Sequence, residues 1–270
     1  MCRQVICLLA AFFPVLSGYP RTAAQTPSSS QVQVAPPARR VEPPAANATA
    51  EELERRGDEL RGEKNNLDAL DYFRAALAKK PNDSQIYNKM GIVELQMLHF
   101  KPARKDFERA IKADRTHADA INNLGVVYYQ MKKYGRAINL YNQAIAIREE
   151  TASYYSNLGA AYFAKKEYEK ATVAYARALQ LDPEVFERIS RTGVELQQLP
   201  LEDRARYDYV MAKLYAKMGM ADRSLQYLRK AMEEGYKDIQ TVYKDVEFSE
   251  LRKDPRFTEL MAAKPPSIPE

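Results

Sequence analysis

From Glu51 onward the apolar residues fall at helical spacing, in a register that repeats every 34 residues. In the stretch 152–185, Tyr155, Leu158, Gly159 and Tyr162 stand at i, i+3, i+4 and i+7, one face of a helix. Lys165-Lys166-Glu167 interrupts the pattern as a turn, and Ala171, Tyr175, Ala178 and Leu179 then form the face of a second helix. Asp182-Pro183 ends that helix, because proline lacks a backbone N–H and disfavours helical geometry in the residue before it. The same columns recur at Gly57, Gly91, Gly125 and Gly159, and at Ala69, Ala103, Ala137 and Ala171. They recur again at Phe73, Phe107, Tyr141 and Tyr175, and at Ala76, Ala110, Ala144 and Ala178. Pro81 closes the first module as Pro183 closes the fourth, while Arg115 and Glu149 hold that column in the middle two. The pattern predicts four helix pairs, at 50–83, 84–117, 118–151 and 152–185.

The small residues have a steric reason. Gly159 on a first helix and Ala171 on a second let two antiparallel backbones approach, and Tyr162 and Tyr175 fill the space to the neighbouring pair. Tyr128 takes the column of Tyr162 and is expected in the core. A single pair cannot bury its faces alone, so pairs must stack. The expected fold is all-α: an α-solenoid of stacked antiparallel helix pairs.

These columns resemble the tetratricopeptide repeat, whose signature runs bulky residue, Leu-Gly, Tyr, then Ala, aromatic, Ala and Pro. The fourth module carries it as Tyr155, Leu158-Gly159, Tyr162, Ala171, Tyr175, Ala178 and Pro183, and the third as Ile121, Leu124-Gly125, Tyr128, Ala137, Tyr141 and Ala144. The second departs at Glu94, where the aromatic is missing, and the first at Arg56, before its glycine. The resemblance covers 50–183 and implies a superhelix that binds protein.

Beyond 185 the register loosens. Residues 186–204 read as an extra helix and a loop at Pro200, and Tyr209, Ala212, Tyr215, Leu228 and Ala231 suggest a divergent fifth pair at 205–238 with Ala212 in place of glycine. Gly235 suits a helix end. Residues 239–270 read as a C-terminal helical cap and tail, with Phe248, Leu251, Phe257 and Leu260 as its apolar side, Asp254 as an N-cap and Pro255 at the first helical position.

The N-terminal segment differs in kind. Arg3 precedes an apolar run from Val5 to Leu16, followed by Thr22-Ala23-Ala24; this reads as a secretory signal over 1–24. The run is shorter than the roughly 20 residues needed to span a bilayer, so membrane contact is expected only through an uncleaved signal anchor. Both cysteines, Cys2 and Cys7, lie in it, which leaves an exported chain without disulfide or thiol chemistry. Residues 25–49, rich in Pro, Ser and Ala, read as a disordered tether. The expected location is exported, periplasmic or secreted.

Little in the composition suggests catalysis. The net charge of +5 is spread out, with no basic stripe for nucleic acid. His99 falls at a turn and His117 between modules, neither with a second ligand at metal spacing. The glycines are isolated, so no phosphate loop forms. No cofactor and no catalytic residue is expected. A remote enzymatic alternative would cluster Asp203, Arg204 and Tyr209, and a structural alternative would use Arg39-Arg40 and the proline-rich stretch as an envelope spacer.

The useful constellation lies one residue around the first helices. Asn88, Ile92 and Leu95 are spaced i, i+4, i+7, as are Asn122, Val126 and Tyr129, and Ser156, Ala160 and Phe163. The resemblance places this stripe on the concave wall, where relatives hold an extended peptide or a partner's helix. Asn123 and Asn157 lie beside it, and a carboxamide can donate to and accept from a peptide backbone at once. Tyr129 and Phe163 would supply apolar anchoring. The alternative is that the apolar positions broaden the helix–helix contact and the asparagines satisfy backbone donors at helix starts. Some relatives clamp a C-terminal carboxylate with Lys, Asn and Arg on this wall; the first module has Glu54 and Asp58 there, which would repel one. The expected function is a non-catalytic scaffold or assembly factor with a protein or peptide partner.

Overall fold

The computed structural model describes residues 41–186 and 200–263, which belong to one compact unit. The expected signal, the tether up to residue 40 with Arg39-Arg40, most of the extra helix before Pro200, and the final residues lie outside the described residues. Every described element is helical. Four hairpins follow one another: α1 (Ala50–Gly62) with α2 (Asn66–Lys79), α3 (Ser84–Gln96) with α4 (Phe100–Ala113), α5 (Ala118–Gln130) with α6 (Tyr134–Ile147), and α7 (Ala152–Ala164) with α8 (Tyr168–Leu181).

Local chemistry sets the ends. Thr49 caps α1 and exchanges hydrogen bonds with Glu52 in a capping box; Asp83 caps α3 by accepting from the Ile86 N–H at 3.0 Å. Each first helix stops on a left-handed residue: Lys64, Leu98, Lys132 and Lys166 have φ of 64°, 60°, 58° and 62°. The next N–H then reaches back to a carbonyl in the last helical turn, as Asn65 to Leu60 and Lys133 to Tyr128, both at 2.8 Å. These tight reversals make each pair antiparallel.

The glycine column has a sharper role than backbone approach. A Cβ on Gly91, Gly125 or Gly159 would sit within 2.6 Å of the ring of Phe107, Tyr141 or Tyr175. Those rings are fully buried, so each hairpin closes by packing an aromatic of its second helix against the glycine of its first. Between hairpins, Leu124 and Val127 join a cluster with Ala103 and Phe107 of the hairpin before, and Tyr154 packs with Ala118, Ile121 and Ala144.

One expectation is corrected here. Tyr128, Tyr155 and Tyr162 are half-buried rather than core, each with a cation over its ring: Arg136 at 5.6 Å, Arg177 at 5.9 Å and Lys170 at 5.5 Å. Their neighbours Tyr129 and Phe163 fill the interior instead. A one-residue step turns a side chain by about 100° around the helix, and α5 buries ten of its 13 residues, so apolar spacing alone does not say which side is which.

Residues 41–49, expected as the end of a loose tether, lie along α2. The Tyr72 hydroxyl donates to the Glu42 carbonyl at 3.0 Å, Lys79 Nζ donates to the Ala46 carbonyl at 3.0 Å, and the Val41 N–H donates to Asp68 at 3.3 Å. Val41 and Ala48 pack on the first hairpin's core.

The fifth pair is α9 (Leu201–Lys217) and α10 (Ala221–Glu233), reversed at Gly219 with φ 73°. It meets the fourth hairpin through aromatic rings: Tyr207 stands edge-on to Phe163 at 5.9 Å and to Tyr175 at 5.6 Å. Three short 3-10 turns within 239–253 lead to α11 (Pro255–Ala263), where Asp254 accepts from the Arg256 N–H at 2.9 Å. Phe248, Leu251, Phe257 and Leu260 are buried in the same cluster as α9 and α10.

Candidate functional site

The inner stripe is tied together across hairpins. Asn157 Nδ2 donates to Asn122 Oδ1 at 3.0 Å, Asn122 Nδ2 to Asn123 Oδ1 at 3.2 Å, and Asn123 Nδ2 to Asn88 Oδ1 at 3.1 Å. One hairpin earlier, Lys89 takes the column of Asn123 and donates to Glu54 and Asp58, at 2.5 Å each. The rule is a donor on one first helix and an acceptor 35 residues earlier on the preceding one. The expected asparagine ladder therefore exists as a stitch within the protein: its amides meet one another rather than helix-start backbone donors. Glu54 and Asp58, expected to repel a carboxylate, are engaged by Lys89. Burial opposes the charge on Lys89, but its hydrogen bonds to Asp58 and Glu54 and their negative charges outweigh it and hold its pKa above the ordinary value.

The expected apolar anchors are buried. Tyr129 is 7% exposed and packs against Tyr134 at 5.2 Å; Phe163 is 2% exposed and packs against Tyr168 at 5.1 Å. Both are corrected to core, for the rotational reason above. Val126 and Ala160 are also buried, whereas Ile92, Leu95 and Ser156 are half-buried and keep surface.

A second surface, absent from the sequence expectations, lies between α7 and α8. Tyr155, Leu158 and Tyr162 from α7 and Lys170, Val173, Ala174 and Arg177 from α8 line an open groove of about 680 Å³. Val173 is 71% exposed there. The same repeat positions in the second hairpin form a smaller groove of about 360 Å³, where Glu94, Lys105 and Asp106 replace Tyr162, Val173 and Ala174 and an arginine is kept, Arg109 for Arg177. Burial pushes the Asp106 carboxyl above its ordinary value, with Arg109 opposing. The signal was in the sequence: the column Asp71, Lys105, Asn139, Val173 turns apolar only in the fourth hairpin.

The histidines have structural partners. His99 Nδ1 lies 2.9 Å from the Glu94 carboxylate, and His117 meets the Ser84 hydroxyl, which donates to the Ala110 carbonyl. Asp203, Arg204 and Tyr209 are drawn to separate partners: Arg204 to Glu234 at 3.1 Å, Tyr209 to Asp245 at 2.8 Å, and Asp203 toward Tyr168. Among the described residues no group of His, Cys, Asp or Glu converges as a metal site, and no helix is long and apolar enough to cross a membrane.

Stacked helical hairpins with a stitched inner wall define an α-solenoid repeat protein. Family models for the TPR repeat and the tetratricopeptide repeat match residues 127–166 and 152–185, so the chain contains tetratricopeptide repeats there, and the same hairpin geometry runs back to Ala50. No curated protein sequence matches it. Among solved structures it is similar to PilF of Pseudomonas aeruginosa, at 18% identity over 80% of this chain and 88% of that one, with a TM-score of 0.53. It is also similar to MamA from Desulfovibrio magneticus RS-1, at 19% identity over 74% of this chain and 100% of that one, with a TM-score of 0.50. These likenesses speak for the fold alone. Tetratricopeptide repeats form protein-interaction scaffolds, and that general class is what the repeats define here.

Proposed function

We propose that this protein is a non-catalytic scaffold or assembly factor that holds a peptide or a partner's helix in its concave groove, in an exported compartment. The asparagine run carries the reading. Each of its three donating amides gives one of two hydrogens to a neighbour; the asparagines are 4–7% exposed, and the second hydrogen, at that narrow exposed edge, is the group we assign to a ligand's carbonyl oxygen. Ile92, Leu95 and Ser156 supply contact beside it. The location rests on the N-terminal sequence pattern.

The test is photo-crosslinking in cells from position 95 or 156, on the exported fraction, with the N-terminus of the recovered chain determined. One polypeptide captured from both positions, lost in the double variant Asn123→Ala/Asn157→Ala at unchanged helicity, supports the reading. Equal capture from Lys112, exposed on α4, or capture indifferent to the double variant, rejects it. Recovery with residues 1–24 attached and no exported pool rejects the compartment.

A further inference from the structure

The protein carries its own example of what an outer helix face binds. The segment 41–48 runs parallel to α2, meeting Asp68, then Tyr72, then Lys79, and it uses main-chain groups against side chains of the helix. Pro43 and Pro44 lie within it, and Val41, Pro44 and Ala48 turn partly into the protein while Glu42, Pro43 and Ala45 are exposed. Three repeats later, Asp68 and Tyr72 correspond to Lys170 and Ala174, both of which line the groove between α7 and α8.

We propose that this outer groove of the fourth hairpin binds an extended, proline-containing, acidic segment of a partner protein, laid along α8 as residues 41–48 are laid along α2. The floor suits it. Tyr155 and Tyr162 are seven residues apart on α7, so they are offset by about 10 Å along the helix axis. One turn of polyproline II is about 9 Å, so successive turns of such a peptide meet successive rings. Aromatic-lined grooves are a general way of holding this conformation, which arrives already ordered. The rim sets the charge. Lys170 and Arg177 stand over Tyr162 and Tyr155, Lys170 is shared with Glu167 at 2.7 Å, and Glu169 is the one acid among the described residues lining the groove, so acidic side chains of the ligand are directed to the Lys170 and Arg177 side. Where the first hairpin offers an acceptor, Asp68, the fourth offers a donor, Lys170. The partner must therefore present a carboxylate or carbonyl at that point rather than an N–H. Nothing in this inference uses the inner stripe, so the two binding readings stand or fall separately.

The test uses a fluorescent nonapeptide, Val-Glu-Pro-Pro-Val-Glu-Pro-Pro-Val, with the full processed chain, read by anisotropy. Binding is expected, and Val173→Glu, at a position already exposed, weakens it tenfold or more while thermal melting is unchanged. Replacing both glutamates of the peptide by lysine also weakens it at least fivefold. No saturable binding, or binding indifferent to Val173→Glu, overturns the proposal. Tighter binding of the same peptide with alanine for proline overturns it in favour of a helical ligand. Sedimentation closes the remaining route: wild-type self-association abolished by Val173→Glu would show that a second copy of the chain is the occupant, and would overturn it too.

Discussion

The second and fourth hairpins are built on one frame and present opposite surfaces. In both, a buried ring lies on a glycine, Phe107 on Gly91 and Tyr175 on Gly159. In both, an outer groove opens between the two helices at the same positions. The second is lined with Glu94, Lys105, Asp106 and Arg109, and the fourth with Tyr162, Val173, Ala174 and Arg177. Positions that face the partner helix are thus constrained by close packing, while positions a turn away are free to differ, and recognition is written in the free ones.

The comparison is broken most severely at the shared frame. Phe107→Ala and Tyr175→Ala should each cost about 3–5 kcal/mol, the usual range for deleting a buried ring, and the two losses should match despite the different grooves. Urea denaturation followed by circular dichroism checks this; a large loss in one hairpin alone would mean the frames are not equivalent. Gly91→Ala and Gly159→Ala come next. Alanine gains about 1 kcal/mol of helix propensity, but its methyl meets a fixed ring at 2.6 Å or less. Overpacking of this kind costs about 1–3 kcal/mol, so a net loss of about 1 kcal/mol is expected, and a gain in melting temperature would show that the ring moves aside.

The smallest effect sharpens the contrast. Asp106→Ala installs the residue that the fourth hairpin has at this position, Ala174. Burial raises the Asp106 carboxyl above its ordinary value, so the folded state binds its proton more tightly than the unfolded chain. This contribution to stability is therefore full at acid pH and is lost as pH rises from the ordinary carboxylate value through the raised one. The wild type should lose melting temperature over that window relative to the variant, which should show the flatter profile. Parallel profiles would mean that Asp106 is not held above its ordinary value.

The frame was legible in the sequence because close packing leaves few choices: the glycine, alanine and aromatic columns are the contacts themselves. The site was less legible. Tyr128 and Tyr129 are adjacent, both aromatic and both compatible with an apolar stripe, yet Arg136 covers the first and the interior takes the second. Asn123 and Asn157 were recognisable as polar groups on a helix that is otherwise largely apolar, but their partners stand 35 residues away, a relation that helix periodicity does not express. The segment 41–49 has the composition of a tether, and it is ordered by Tyr72 and Lys79, which belong to another element.

A 34-residue beat of small and aromatic residues suffices to specify hairpins and their stacking, since each contact is made between columns at known offsets. Which side of a first helix is covered, whether an amide meets a neighbour or a ligand, and where a groove stays open depend on contacts from other hairpins. Those contacts arise only when the superhelix has closed around each helix from several directions, so burial at these positions is a property of the stack rather than of any one segment.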